Sequence, residues 1–223
     1  MALFLDKSYV FVSLSNPSSL LVIDLPQQTC PRISIFNFGF FCKTSSNSLS
    51  IGIDFLRKKC RPVVQVDKAL EELAQNMLET MIEANGVGLA APQVGEEIRL
   101  AIVDVSHDPE CITFLKVNGE DAAIQDVMPL IFINPELVLE GPRETDMEGC
   151  LSIYDIRANV RRPSRVKAKL TLLDGTQIEL ETDGLLSRAI QHEVDHLNGI
   201  LFTDRISPAA KVGVKRKLRR LGV

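Results

Sequence analysis

Two histidines and a glutamate lie close together near the carboxyl end of the sequence, in the run His192-Glu193-Val194-Asp195-His196. Side chains four residues apart on a helix lie on one face, about one turn apart, so both imidazoles can approach the same metal ion. Glu193 follows the first histidine directly, which places its carboxylate to contact a water bound to that ion. The motif predicts a hydrolytic metal centre in which Glu193 transfers protons.

A catalytic site of this kind needs a third protein ligand, and the sequence after His196 provides none. No glutamate follows His196, and the position at which one class of zinc protease carries a third histidine is Phe202. Upstream, His107 lies in a polar, turn-like segment, whereas Cys150 follows a glycine that allows close backbone approach. We therefore predict Cys150 as the third ligand, with a fourth position open to water, and keep His107 as the alternative.

The segment from Gly86 to Gln93 is rich in glycine and alanine, which allow a backbone to approach a ligand closely. An amide N–H of Gln93 is suited to donate to an oxyanion. A tight loop after a helix would have a similar composition, so this segment alone does not identify a ligand site.

Hydrophobic periodicity and turn residues predict the elements that must position these groups. Asp67 is expected to cap the first helix, and Asn85-Gly86 to end it. Thr182 or Asp183 is expected to cap the helix that carries the two histidines. The predicted helices run from Asp67 to about Ala84, from about Gly184 to Asn198, and onward from Ser207-Pro208.

Between the first two helices the pattern alternates in the manner of β-strands. The predicted strands are residues 99–105, 130–133, 137–139, 166–172 and 176–180. Asn134-Pro135 is expected to separate two short strands, and Asp174-Gly175 to form a hairpin turn. We predict an α+β fold with mostly antiparallel β-sheets packed around a central metal-binding helix, an N-terminal helix and a C-terminal helix.

Composition divides the 223 residues into three parts. Residues 1–54 carry no chemical motif, which predicts a disordered extension or a targeting segment. Residues 55–206 are expected to form the catalytic domain, and residues 207–223 a basic C-terminal helix.

Charge and composition also exclude some partners. The net charge of −4 and the absence of tryptophan argue against DNA as a partner. No apolar run is long enough to predict a membrane-spanning helix. The five cysteines include no C-x-x-C pair, which favours a reducing compartment.

Three motifs taken together resemble those of the peptide deformylase family. Residues 86–93 fit the pattern G-x-G-x-A-A-x-Q, residues 148–152 read E-G-C-L-S, and residues 191–197 fit Q-H-E-x-D-H-L. The resemblance covers about Phe55 to Ile206. It implies a hydrolase that removes the formyl group from the N-terminal formyl-methionine of new polypeptides.

Carried over by motif position, the resemblance assigns roles to individual residues. It implies that a metal-bound water attacks the formyl carbon, and that Glu193 takes its proton and later passes a proton to the leaving amine. Gln93 and the backbone N–H of Leu151 would stabilise the oxyanion. One divalent ion, Fe²⁺ first, with Zn²⁺, Ni²⁺ or Co²⁺ as alternatives, would be held by Cys150, His192 and His196. Substrate contacts are expected from Gly86, Val87, Gly88, Arg157, Leu185 and Ala189.

The resemblance extends to partners and location. Formyl-methionyl nascent peptides would be the substrates, and the basic C-terminal helix would contact the ribosome through RNA phosphates. The location would be bacterial-type cytoplasm, or a plastid or mitochondrion if residues 1–54 are a transit peptide. Tyr154 stands where the family usually has a proline. This difference is expected to affect substrate preference and not the chemical step. The alternatives are a metallopeptidase built on the same helix and an inactive, ribosome-associated metal-binding protein.

Overall fold

Two units make up the chain, one formed by residues 5–50 and the other by residues 1–4 and 51–223. The computed structural model describes residues 9–13, 20–24 and 53–220. In the first unit, strands β1 (Tyr9–Ser13) and β2 (Leu20–Asp24) pair antiparallel, with Tyr9 opposite Asp24. Most of residues 1–54 lie outside the described residues, so their assignment as a disordered or targeting extension stays a prediction.

A seven-stranded sheet organises the second unit, and all of its neighbouring strands are antiparallel. Its strands in chain order are β3 (Gly88–Ala90), β4 (Leu100–Val103), β5 (Leu115–Val117), β6 (Glu120–Asp121), β7 (Leu130–Cys150), β8 (Ile153–Thr171) and β9 (Gln177–Thr182). Their order across the sheet is β3-β4-β7-β8-β9-β5-β6, which leaves β3 at one edge.

The helices of this unit precede, interrupt and follow the sheet. They are α1 (Ile53–Leu56), α2 (Lys68–Glu83), α3 (Ile124–Val127), α4 (Gly184–Leu197), α5 (Phe202–Arg205) and α6 (Pro208–Arg220), with short 3₁₀ turns at Ala91–Val94 and Pro109–Cys111. Within the described part of the chain, none of these helices has the length and apolar content needed to cross a bilayer.

Helix α2 forms as its sequence predicts. The Asp67 carboxylate accepts a hydrogen bond of 2.9 Å from the backbone N–H of Leu70, which satisfies one of the free donors at the helix start. One apolar face, including Met77 and Met81, is buried against the sheet. The residue with a left-handed backbone after the helix is Asn85, with φ 51°, rather than the glycine that follows it.

The prediction of two short strands around residues 134–135 was wrong, because β7 is one continuous strand. A register shift between Ile133 and Glu136 accommodates the interruption, and Asn134 adopts φ 50° there. The Asn134 amide accepts from the N–H of Val63 and donates to its C=O, at 2.9 and 2.8 Å. The Asn134 side chain thus pairs with the backbone of Val63 at the bulge, and the strand continues beyond it.

The hairpin between β8 and β9 was predicted correctly, with Gly175 in the turn at φ 85° and Thr171 opposite Gln177. Strand β8 begins at Ile153, well before the predicted start, because it pairs with β7 along most of its length. The turn between β7 and β8 joins Cys150 to Ile153. The predicted third ligand therefore lies at the tip of a long hairpin.

Helix α4 lies at the centre of the unit and contacts β3, β4 and β8. Its N-cap is Asp183, whose side chain accepts from the backbone N–H of Thr113 at 2.8 Å instead of from its own helix. Gly199, at φ 72°, follows the helix, and a side chain there would collide with the backbone of Arg57. The α+β architecture around a central helix is confirmed.

Candidate metal centre

The three predicted ligands converge from two elements. Cys150 ends β7, whereas His192 and His196 lie one turn apart on α4, and all three side chains are buried. Their ligand atoms lie within 4.8 Å of one another, and Cys150 Sγ is 3.3 Å from His196 Nε2. A Cys, His, His set around one point is suited to a divalent ion of the first transition row.

Burial sets the protonation of these groups. It lowers the pKa of His192 to about 4 and that of His196 well below its usual value, so both imidazoles are neutral at pH 7. Burial also raises the pKa of the Cys150 thiol. Neutral imidazoles are the form that binds metal, whereas the cysteine must release a proton when an ion enters.

Glu148 fixes the orientation of His192. Burial alone would raise the pKa of Glu148, but hydrogen bonds from His192 and Arg162 hold that pKa well below its usual range. An ionised carboxylate only accepts hydrogen bonds, so His192 Nδ1, 3.1 Å from Glu148 Oε2, must be the donor. The lone pair of His192 is then on Nε2, the atom free to bind metal.

His192 Nε2 supports this assignment. It is buried and has no hydrogen-bond partner among the residues that the structure describes. A buried polar nitrogen without a partner carries a desolvation penalty, which coordination to an ion would remove. The donor set and this nitrogen together fit a bound divalent metal.

Two positions weighed in the search for a third ligand lie outside this set: Phe202, where one protease class has a histidine, and His107, the alternative ligand. Phe202 stacks on His192, with ring centroids 6.1 Å apart, and so packs the site without binding metal. His107 is exposed and does not join the group. The choice of Cys150 over His107 therefore agrees with the geometry.

Gln93 lies beside the sulfur, in the 3₁₀ turn after β3. Its Oε1 accepts from the N–H of Ala90 at 2.8 Å, which turns the amide nitrogen toward the site. Nε2 then lies 3.5 Å from Cys150 Sγ and 3.2 Å from Ser152 Oγ. An amide donor is thus fixed at the edge of the metal centre, where an oxyanion would need one.

A buried ion-pair network surrounds the predicted metal ligands. Arg162 donates to both oxygens of Glu148, at 2.7 and 2.9 Å, and to Asp195 at 2.7 Å. Arg205 also binds Asp195. Because a buried charge is costly unless paired, this network lets α4 keep ionised groups inside the protein.

The predicted substrate residues fall into four environments, and one of them, Gly88, begins the edge strand β3. Val87, Ala189 and the partly buried Leu185 belong to one apolar cluster. Gly86 lies against Leu151, where an added Cβ would be 3.2 Å from the leucine Cδ1, so the first two motifs are in contact. Arg157 is exposed.

Glu193, the residue predicted to transfer protons, is fully buried on α4, directly after the first predicted histidine ligand.

Comparison with known proteins decides the family. The family model described as polypeptide deformylase matches residues 47–212. Peptide deformylases from Methylacidiphilum infernorum and Bartonella tribocorum are 44% and 45% identical to this chain over 166 residues. These alignments cover 74% of this chain and 87% and 86% of the relatives.

The chain belongs to the polypeptide deformylase family. Deformylases are metal-dependent hydrolases that remove the N-terminal formyl group from nascent peptides, so the predicted enzyme class is confirmed. The family match also decides against the metallopeptidase hypothesis.

Solved deformylase structures share this fold. The peptide deformylase of Synechococcus elongatus, solved in complex with actinonin, is 36% identical with a TM-score of 0.62, covering 75% of this chain and 81% of that chain. The Thermotoga maritima enzyme is 38% identical with a TM-score of 0.58, covering 70% and 92%.

Several residues that support the deformylase site have no role that was predicted from the sequence. Glu148 and Asp195 lie inside the recognised motifs, so their positions carried a signal. Arg188 stands four residues before His192, which on a helix places the two side chains on one face. Arg162 adjoins Arg161 in the sequence, and a charged side chain is ordinarily expected at the surface.

Proposed function

We propose that the deformylase reaction of this chain is carried by Glu193 together with the Cys150, His192 and His196 centre. The supporting observation is the convergence of the three ligands within 4.8 Å, with Glu193 buried beside them on the same helix. Fe²⁺ is the proposed ion, with Zn²⁺, Ni²⁺ and Co²⁺ as alternatives that the same donor set accepts.

A bound divalent ion supplies two things, a lowered pKa for a water molecule and a Lewis acid for the formyl oxygen. Glu193 takes a proton from the attacking water and gives it to the amine that leaves as the C–N bond breaks. General acid–base transfer of this kind contributes about 10²–10⁴-fold in rate. The products are formate and a peptide with a free N-terminal amine.

The negative charge that develops on the formyl oxygen requires donors. Gln93 Nε2 is held toward the site by its bond to Ala90, and the backbone N–H of Leu151 follows the cysteine ligand directly. We assign these two groups to the oxyanion. Donors fixed before the reaction stabilise the transition state without reorganisation.

The substrate peptide is expected to lie along the free edge of β3. Gly88 belongs to this edge strand and Gly86 and Val87 lead into it, so backbone groups are available to pair with an extended chain. Val87, Leu185 and Ala189 supply the apolar surface for the methionine side chain. Arg157, which is exposed, is assigned to the mouth of the pocket.

Steady-state hydrolysis of a formyl-methionyl peptide tests the proposal, with the released amine as the signal. The same peptide carrying an acetyl group, and an unformylated peptide with internal bonds, serve as controls. We expect release of formate from the first substrate alone. Cleavage of internal bonds, or binding of the peptide without turnover, would overturn the assignment.

We also propose that α6 contacts ribosomal RNA through its phosphates. Its bases Lys211, Lys215, Arg216, Lys217 and Arg219 are exposed, whereas Ala210 and Val214 pack against the domain. Ser207 caps the helix by accepting from the N–H of Ala210 at 3.2 Å. Val214, Leu218 and Leu221 follow one another at helical spacing and are expected to form one apolar stripe. The side chains of Leu218 and Leu221 lie outside the described residues.

Neutralising bases tests this contact better than truncation, since Ala210 and Val214 help to cover a core cluster that includes Cys150. A Lys215→Gln, Arg216→Gln, Arg219→Gln triple variant should lose salt-sensitive co-sedimentation with ribosomes and keep its activity on a short peptide. The matched control removes three exposed bases elsewhere, Lys59, Arg61 and Lys68. Equal sedimentation of the two triple variants would contradict the contact.

The enzyme is inferred to act where translation starts with formyl-methionine, in bacterial-type cytoplasm, with a plastid or mitochondrion as the alternative. The free thiols of Cys60, Cys111 and Cys150 are compatible with a reducing compartment. Fusing residues 1–54 to a fluorescent protein separates the two locations. Import of the fusion into an organelle would support the alternative, and diffuse fluorescence would contradict it.

A further inference from the structure

Arg188 lies on the same face of α4 as the two histidine ligands, at intervals of four residues along the helix. Its side chain is 9% exposed, so the guanidinium is held inside the protein. A buried arginine must find a full set of acceptors. The positions of the acceptors of Arg188 therefore show which elements this side chain connects.

Among the residues that the structure describes, the acceptors of Arg188 all lie on the hairpin that carries Cys150. Nη1 donates to Glu148 Oε1 at 2.7 Å and to the carbonyl of Val160 at 3.1 Å, and Nη2 donates to the carbonyl of Glu144 at 3.3 Å. Asp146 lies 3.8 Å from Nε. One side chain thus ties the histidine helix to both strands β7 and β8.

The contact with Glu148 bears directly on metal binding. His192 Nδ1 donates to Oε2 of that carboxylate, while Arg188 donates to Oε1. Two residues one turn apart on α4 therefore hold both oxygens of the same carboxylate. The Glu148 carboxylate cannot rotate or shift along the helix without losing one of these bonds.

We propose that Arg188 is a positioning residue for the metal centre, which holds Glu148 in the orientation that directs His192 Nε2 toward the ion. The inference rests on the proposed function of the Cys150, His192 and His196 centre. Arg162 also binds both oxygens of Glu148, but it does so from β8. Arg188 is the donor to Glu148 that lies on the same helix as His192, and it also bonds to backbone carbonyls of β7 and β8. Supporting partners of metal-bound histidines typically change metal affinity by about 10–100-fold.

The test measures the dissociation constant for Ni²⁺ of the full chain by competition with a chelator. We expect Arg188→Met to raise that constant about 10-fold, and Arg188→Lys to raise it less, because lysine keeps one donor and the charge. Arg57→Met is the matched control, since Arg57 also pairs with a carboxylate, Asp204, but lies at a half-exposed site. The control should change Ni²⁺ affinity less than about 2-fold.

A double-mutant cycle separates positioning from general structural support. If Arg188 acts through Glu148, adding Arg188→Met to Glu148→Gln should change the Ni²⁺ constant little beyond the effect of Glu148→Gln alone. A full additional loss in that background would overturn the inference, as would unchanged affinity of the folded Arg188→Met protein or an equal loss in Arg57→Met. Should Arg188→Met not fold, Arg188→Lys takes its place in the same cycle.

The wild-type measurement distinguishes the two levels of the proposal. A wild-type protein that binds no Ni²⁺ would overturn the proposed metal centre together with the role of Arg188. Tight binding by the wild type that Arg188→Met leaves unchanged would overturn the role of Arg188 alone.

Discussion

Helices α2 and α4 have similar lengths and opposite uses. Of the 16 residues of α2, four are buried, and all four are apolar. Of the 14 residues of α4, twelve are buried, and they include Arg188, Glu193 and both histidine ligands. Helix α2 leaves its polar groups in water, whereas α4 carries ionisable groups into the centre of the protein.

This difference indicates that α2 contributes mainly to stability, whereas α4 carries the groups for metal binding and chemistry. Burying the apolar face of α2 is favourable without further arrangement. The charged groups of α4 are costly to bury unless each finds a partner, and Glu148, Arg162 and Arg205 supply partners for its charges. We expect changes on α4 to alter chemistry and metal binding, and changes on α2 to alter stability alone.

The largest effect is expected from Glu193→Gln. The ligands are untouched, so the variant should keep its metal, while loss of the proton carrier should lower kcat by about 10²–10⁴-fold. Metal analysis of the purified protein, alongside steady-state kinetics, checks both parts. Turnover within a few-fold of the wild type would show that another group transfers the proton.

Cys150→Ser comes next, because a hydroxyl is a poor substitute for a thiolate ligand. Affinity for metal should fall by more than about 100-fold, beyond the range typical of supporting partners, and activity should fall with it. His107→Gln, at an exposed position, is the control and should bind metal normally. Stoichiometric metal in dialysed Cys150→Ser would remove the cysteine from the ligand set.

A smaller effect is expected on the free energy of unfolding of the metal-free protein as the pH changes. Burial lowers the folded-state pKa of His192 to about 4 and that of His196 well below 6.5, whereas the unfolded chain binds protons near 6.5. The unfolded state therefore holds more protons in this window, so the free energy of unfolding should fall as pH drops from 6.5 to 4. Each histidine contributes up to about 1.4 kcal/mol per pH unit.

Urea unfolding of the metal-free chain across that window is the measurement. His196→Asn should flatten the pH profile, since one buried imidazole is gone. A free energy of unfolding that stays constant from pH 6.5 to 5 in the wild type would contradict neutral, buried histidines.

The smallest effect belongs to α2. Asp67→Ala removes the bond to the N–H of Leu70 and should lower the free energy of unfolding by about 1 kcal/mol. Metal affinity and kcat should stay at wild-type values, because α2 supplies no group to the centre. A clear loss of metal binding in this variant would contradict the expectation that changes on α2 affect stability alone.

Local signals in the sequence predicted much of this structure. Asp67 and Ser207 act as helix caps, Gly175 forms the hairpin turn, and the spacing of His192 and His196 places both on one helix face. Each of these features depends on residues within a few positions of one another. Interactions between residues close together in the chain therefore determine these features, so the sequence alone is enough to predict them.

Other features depend on pairings between distant residues. Asn134 was expected to end a strand, but its bonds to Val63, 71 residues away, carry β7 through a bulge. The length of β8 follows from its partner β7 rather than from its own alternation.

The sequence by itself determined the motifs of the deformylase family, the proposed ligands within them, and the helix that carries two of these ligands. Only the tertiary structure decided which charged residues support the centre. Arg161 and Arg162 are neighbours in the sequence, yet Arg161 is exposed and Arg162 is 2% exposed between Glu148 and Asp195. A guanidinium is favourable inside a protein only where folding brings carboxylates to it, and that depends on how β7, β8 and α4 pack together.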